Sequence, residues 1–385
     1  MTPMQRRLAL TLGITQVLAW GTTYYVPATM VGAVSEELGA SRQLLLGGFS
    51  WAVLLSGLCA PWIGQFIDRH GGRPVLAAGQ VVTALGLLVM ASAHSVPWWY
   101  AAWTILGVGM ALALYDTAFS TIGRLLGAES RPAMTGVTLI AGFGGTLGFP
   151  LGTWLVANWG WRPGLVLYAA IALFVILPLI LWRIPRAGPP PPPPVRTATD
   201  PPAPSPAGRR RIFLLLATFF TLRQGLNALL NVHLLLLFTG LGLSTAEAVF
   251  CAMAIGPAQV GSRLLEWQLG RRLNPLTSAW IGAVVLPVGV ALVLGGAPVL
   301  VFAICHGISN GILTITRGVL PMHVFGPQGY GAMMGRLSFP SLVAQAATPT
   351  LLAPVVEFVP AIWILAGMGV VSALALLCLV PLRRI

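Results

Sequence analysis

Of 385 residues, 56% are hydrophobic and only 8% are charged, where an ordinary soluble domain carries about 25% charged residues. This excludes a water-soluble globule; a bilayer crossing takes about 20 apolar residues, so about twelve crossings fit the length with short loops between them. The formal net charge of +13 does not point to nucleic acid, because the basic residues sit in short loops between apolar runs and not on one solvated face.

In chain order, apolar runs bounded by arginine, Gly-Pro or acidic residues predict helices near 8–35, 42–65, 74–93, 97–125, 133–157 and 162–183. The first follows a short basic start without a cleavage pattern and reads as an uncleaved helix. A second set falls near 211–239, 245–269, 276–295, 298–319, 332–355 and 360–382. Between the sets, a tract with six consecutive prolines reads as an extended, solvated linker. The expected architecture is an all-α membrane protein: a six-helix bundle over 1–185, a cytoplasmic Pro-rich linker over 186–210 and a second six-helix bundle over 211–385.

The two sets echo each other at offsets near 200. Leu38-Gly39-Ala40-Ser41 recurs as Leu241-Gly242-Leu243-Ser244, and Ala133-Met134-Thr135-Gly136 as Ala332-Met333-Met334-Gly335. Gly64, Asp68, Gly72 and Arg73 pair with Gly261, Glu266, Gly270 and Arg271. Such matches indicate duplicated halves in parallel repetition. With twelve crossings and both termini on one side, that side receives 19 of the 22 basic residues, all of them arginine. Positive loops stay cytoplasmic, so both termini and the linker are expected there, in the inner membrane of a bacterium. Cys59, Cys251, Cys305 and Cys378 lie in apolar runs without metal-like spacing, so no disulfide framework, metal or cofactor is expected.

The turn after the second run reads Gly64-Gln65-Phe66-Ile67-Asp68-Arg69-His70-Gly71-Gly72-Arg73-Pro74. It resembles the signature loop of the major facilitator superfamily. Its glycines permit a tight turn with close helix approach, and Asp68 at a helix end can accept hydrogen bonds from a neighbouring helix N-terminus or pair with an arginine. Gly160-Trp161-Arg162 is similar to the superfamily's fifth-to-sixth junction. The resemblance implies twelve helices in two pseudo-symmetric bundles, with Gly64, Asp68, Arg69, Gly72 and Arg73 forming a cytoplasmic gate that latches the halves. Within the superfamily it looks like a monocarboxylate-porter type of permease. Two features depart from the drug exporters of the superfamily: Trp103 stands where many have arginine, and Phe149 separates Gly148 from Pro150.

Polar residues are unevenly shared among the runs. The third, sixth, ninth and twelfth are bland and read as lipid-facing supports. The first holds Gln16, Trp20 and Tyr24; the fourth Tyr115 and Asp116; the seventh Arg223, Gln224, Asn227, Asn231 and His233; the tenth His306, Asn310 and Thr314. The i, i+4 spacing places each series on one face, as a cavity lined by helices 1, 4, 7 and 10 requires. At 1.5 Å per residue Arg223 lies about 18 Å into the membrane. Intramembrane charge is costly enough to signal function. Arg223 either contacts an anionic substrate or belongs to a structural pair or network. Asp116 either couples protons or pairs with Arg124 or Arg73 in the gate. Trp20, Tyr24 and Tyr25 form either an aromatic wall for an organic substrate or core packing.

The expected function is secondary active transport by alternating access: a proton-coupled carrier of a small organic anion such as a monocarboxylate. Substrate contacts are assigned to Gln16, Trp20, Tyr24, Tyr115, Arg223, Gln224, Asn227, Asn310 and Thr314, and proton coupling to Asp116. The alternatives are a proton-driven antiporter exporting amphipathic compounds and, from another class, a non-transporting sensor or an integral membrane enzyme. The expected partners are protons, the small-molecule substrate and the bilayer, with no nucleic acid, and the protein is expected to be a monomer and not an enzyme.

Overall fold

The computed structural model describes residues 1–188, 206–269 and 273–384. The body of the predicted linker, and Gly270 and Arg271 of the third echo, lie outside the described residues. Every regular element among the described residues is helical, and the chain forms two compact units.

The first unit comprises Met1–Gly188 and Gly329–Ala346. It holds α1 (Pro3–Thr22), α2 (Val26–Leu38), α3 (Arg42–His70), α4 (Gly72–Ala91), α5 (Val96–Ala113), α6 (Tyr115–Leu126), α7 (Arg131–Ala141), α8 (Gly144–Trp159), α9 (Trp161–Ile171) and α10 (Leu177–Arg183), with a π-helical turn between the last two. The second comprises Pro189–Gln328 and Ala347–Ile385. Its helices are α11 (Pro206–Gly240), α12 (Thr245–Leu269), α13 (Pro275–Leu294), α14 (Val299–Phe325) and, past α15 (Tyr330–Phe358), α16 (Ala361–Leu377). α15 is divided between the units at Ala346; the sequence division counts all of it with residues 211–385.

Helix starts follow local chemistry. Thr2 accepts the Gln5 amide while Gln5 Oε1 accepts the Thr2 amide at 2.8 Å, a reciprocal cap on α1. Ser41 caps α3 and Asn274 caps α13 through their side-chain oxygens. Among the described residues, ten helical stretches are long and apolar enough to cross a membrane. One of them, Val96–Trp159, runs 64 residues, more than two crossings need.

Several predicted helices are broken. The first splits at residues 23–25, where Thr22 and Thr23 hydroxyls donate back to the carbonyls of Leu18 and Ala19 and Pro27 offers no amide. The fourth splits at Leu114, whose backbone is extended (φ −87°, ψ −168°). Two of the carbonyls freed there are taken by side chains: Ala111 by the Thr117 hydroxyl at 2.7 Å and Ala113 by Gln16 Nε2 at 2.8 Å. The fifth splits at residues 142–143. The third predicted helix is less bland than expected, since Gln80 and Thr83 of α4 are buried inside the first unit.

The core of the first unit is aromatic. Trp99, Trp103 and Tyr168 are fully buried among Met30, Leu45 and Leu87. The second unit buries Phe238, Phe302, Leu286 and Leu365. At one end of the first unit, Arg162 gathers three helix ends. Its Nε and Nη2 reach Glu37 Oε1 at 3.0 and 2.7 Å, and Nη1 and Nη2 also donate to the carbonyls of Ala91 and Ala93. Trp161 Nε1 donates to Glu37 Oε2 at 2.6 Å.

Arg162, and then Trp161, hold the Glu37 carboxyl below the usual carboxylate range. Because this pKa is depressed on folding, its stabilisation is present above the ordinary glutamate value of about 4.3 and is lost as pH falls through the folded-state value. The side chains are 27% and 48% exposed, which limits the pair to about 1 kcal/mol or less. Glu37→Gln is therefore expected to lower the melting temperature slightly near neutral pH. Melting curves at stepwise lower pH should bring mutant and parent together; a gap that widened on acidification would contradict the assignment.

Candidate functional site

In the first unit the helix breaks lie around one group of polar and aromatic side chains. Gln16 on α1 holds the fourth-helix break through its amide and accepts from Trp20 Nε1 at 3.2 Å. Trp20 packs against Tyr24 and Tyr115 with ring centroids 4.5 and 5.2 Å apart, and Tyr24 meets Phe49 at 4.9 Å. Tyr25, in the first-helix break, meets Phe149 of α8 at 4.7 Å. Gln345 of α15 donates to the Tyr24 hydroxyl at 2.6 Å. The structure thus brings together Gln16, Trp20, Tyr24 and Tyr115. Gln16 is buried, while the three rings are half-buried. Half-buried Asp116 stands beside Tyr115 in the first turn of α6, where amide dipoles favour a carboxylate. Trp103, at the position where exporters carry arginine, is fully buried against Phe49 and Trp99.

The signature loop is built from backbone. Asp68, at the end of α3, accepts the amides of Gly331 and Ala332 with its two carboxylate oxygens, each at 2.8 Å. Those amides open α15, so the carboxylate sits on the positive end of that helix. The helices touch main chain to main chain: a Cβ on Gly64 would lie 1.9 Å from the Gly331 carbonyl oxygen. Gly72 is buried and starts α4 after Gly71, whose φ of +83° suits glycine. Arg73 donates to the Leu181 carbonyl. Arg124 donates to the carbonyls of Asp68 and Gly188 at 3.2 and 2.7 Å. Arg69 is exposed.

In the second unit Arg223 of α11 is buried, 8% exposed. Its Nη2 donates to Ser309 Oγ at 2.8 Å, and Ser309 in turn donates to the Gly282 carbonyl. Ser309 is thereby held with its lone pair toward the guanidinium. Among the described residues, Arg223 Nε and Nη1, Asn227 Oδ1 and His306 Nδ1 are buried without a hydrogen-bond partner. Such orphaned polar atoms are costly unless something meets them. Asn227, Gln224, Asn310 and Thr314 are half-buried, and Thr314 donates to the Asn310 carbonyl at 2.6 Å. Asn231, on the same series as Arg223, is exposed. His233 Nε2 lies 3.1 Å from the Pro349 carbonyl.

Sequence reasoning passed over Ser309, which breaks the i, i+4 series by one position. It lies three residues after His306, on the same face of α14, and that spacing was the available signal.

A model of the Major Facilitator Superfamily matches residues 12–335. Monocarboxylate transporter 11 of Mus musculus is 32% identical over 309 residues, covering 75% of this chain and 67% of that protein. Monocarboxylate transporter 14 of Homo sapiens is 30% identical over 141 residues, 36% of this chain and 27% of that protein. The chain thus spans about a quarter of one relative's length and two thirds of the other's. Among solved structures, the human organic anion transporter MFSD10 (TETRAN) shares the fold with a TM-score of 0.77 at 18% identity, over 98% of this chain and 100% of that one. With its all-helical, multi-pass architecture and signature loop, the chain belongs to the Major Facilitator Superfamily and is a membrane transporter, not an enzyme.

Proposed function

We propose that the protein is a proton-coupled carrier of a small organic anion such as a monocarboxylate, working by alternating access as a monomer in a bacterial inner membrane with both termini cytoplasmic. Dividing the 64-residue stretch into two crossings and adding α1 with α2 to the remaining nine gives twelve. The observation that carries the cargo assignment is Arg223: a buried guanidinium tethered by one serine, with Nε and Nη1 left without a hydrogen-bond partner, the donors an anion would take. The monocarboxylate names of two relatives agree with that chemistry. Asn227, whose buried Oδ1 is open, accompanies Arg223 on α11, and Gln224, Asn310 and Thr314 add polar contacts. In the first unit Gln16, Trp20, Tyr24 and Tyr115 supply an amide and aromatic faces.

Asp116 is assigned to proton coupling, and Gly64, Asp68, Arg69, Gly72 and Arg73 to the cytoplasmic gate. In this reading the Asp68 contact with the α15 N-terminus is the latched form. Arg73 and Arg124 donate to backbone carbonyls at the same end of the unit, and the gate reading of Asp116 is kept as the alternative that the experiment tests. Counterflow of labelled monocarboxylate in proteoliposomes tests the reading. The parent protein is expected to exchange label without a gradient and to accumulate it when the lumen is alkaline. Asp116→Asn is expected to keep exchange while losing accumulation driven by the pH gradient. A mutant that still accumulates would return Asp116 to the gate, and a parent inert toward carboxylates would remove the cargo assignment.

A further inference from the structure

Away from the residues assigned to transport, the start of α11 packs beside α16. A groove of about 560 Å3 is lined there by Arg210, Arg211, Leu214, Leu215, Thr218 and Cys378. Positions 210, 214 and 218 fall at i, i+4 and i+8, with 211 and 215 alongside, so one stripe of α11 passes from cationic to apolar within about two turns. The apolar part is open: Leu214 is 53% exposed, and Leu374 and Leu377 of α16 are exposed nearby in sequence to Cys378. Arg210 and Arg211 are themselves exposed. Arg209, beside them, lies over the Phe325 ring at 5.9 Å.

The duplicated architecture supplies a comparison. Arg6 and Arg7 precede the first apolar run as Arg210 and Arg211 precede the seventh. In the first unit, Arg7 Nη2 donates to the Trp182 carbonyl at 3.3 Å. Among the described residues neither Arg210 nor Arg211 has a hydrogen bond of this kind. Two cations with unused donors therefore sit at the rim of an apolar channel. The linker is a poor complement to them, since between Arg186 and Arg209 it offers one acid, Asp200, against a further arginine, Arg196.

We propose that this groove seats an anionic phospholipid, its phosphate on Arg210 and Arg211 and one acyl chain along Leu214, Leu215 and Cys378. Charge and apolarity are matched together: guanidinium forks suit phosphate oxygens, and the apolar floor begins one helical turn deeper, as a lipid's own chemistry changes from headgroup to chain. This site is distinct from the one holding Arg223 and carries lipid dependence, not cargo.

Purified full-length protein in a neutral detergent is melted with added phosphatidylglycerol, phosphatidylcholine or inorganic phosphate. Phosphatidylglycerol is expected to raise the melting temperature and the other two to leave it unchanged. In Arg210→Gln/Arg211→Gln the half-saturating phosphatidylglycerol concentration should rise about thirtyfold, from about fivefold per arginine. Both side chains are exposed, so the variant should fold, and the exposed Arg6→Gln serves as the control that binds like the parent. Leu214→Asn, which keeps both arginines, should also weaken the lipid several-fold. Equal stabilisation by phosphatidylcholine, stabilisation by inorganic phosphate alone, an unmoved half-saturation in the double variant, or an unaffected Leu214→Asn would each overturn the proposal.

Discussion

Replacing Arg223 with glutamine is expected to lower carrier-mediated uptake of an anionic substrate by about thirtyfold or more, the range seen when one partner of a buried charged contact is removed. The same change should leave the melting temperature of the empty protein unchanged or higher. A buried cation with two unmet nitrogens is a desolvation cost, and glutamine removes it. These two readouts separate the alternatives. Loss of transport together with a marked loss of stability would place Arg223 in a structural network, and normal transport would remove the anion hypothesis. Arg223→Lys is expected to recover little, because a point ammonium cannot hold Ser309 and present further planar donors at once.

The second large effect is expected at Gly64. A Cβ there would meet the Gly331 carbonyl oxygen at 1.9 Å and the Ala332 amide nitrogen at 3.0 Å, all of it main chain that cannot rotate away. Gly64→Val must therefore move α3 and the start of α15 apart and stretch both bonds to Asp68. Overpacking of about 1–3 kcal/mol corresponds to a shift of about five- to 150-fold against the latched form. Counterflow should fall by about fivefold or more while the protein still reaches the membrane. A Gly64→Val carrier with normal exchange would show that this crossing opens and closes without consequence for transport. Asp68→Asn, which keeps the close approach and weakens only the charge-assisted bonds, should have a smaller effect.

Much of this was legible beforehand. Composition separated membrane from water, and the arginine loops and glycine turns marked the helix ends. The place of Asp68 at a helix end left two uses open, amides of a neighbouring helix N-terminus or an arginine, and the structure has the first. The breaks were legible only where a residue type forces them. Pro27 with Thr22 and Thr23 could have signalled the first; nothing in Ala113, Leu114 and Tyr115 signals the second, since its capping amide comes from Gln16, 97 residues away. Ser309 was hidden for a similar reason: a serine in a helix is unremarkable until the side chain it holds is known. Gln80 and Thr83 were hidden by averaging, as two inward polar groups hardly alter a run's hydropathy.

The interruption at Leu114 differs in kind from one made by proline. Proline deletes a donor for good, whereas here every amide of the segment survives. The carbonyl of Ala111 takes a hydroxyl where a continuous helix would give it the Tyr115 amide, and that of Ala113 takes a carboxamide in place of the Thr117 amide. The bend at Leu114 thus leaves neither acceptor unmet, and the group that holds it open is a side chain of α1, Gln16, so the two helices are fixed to one another at this point.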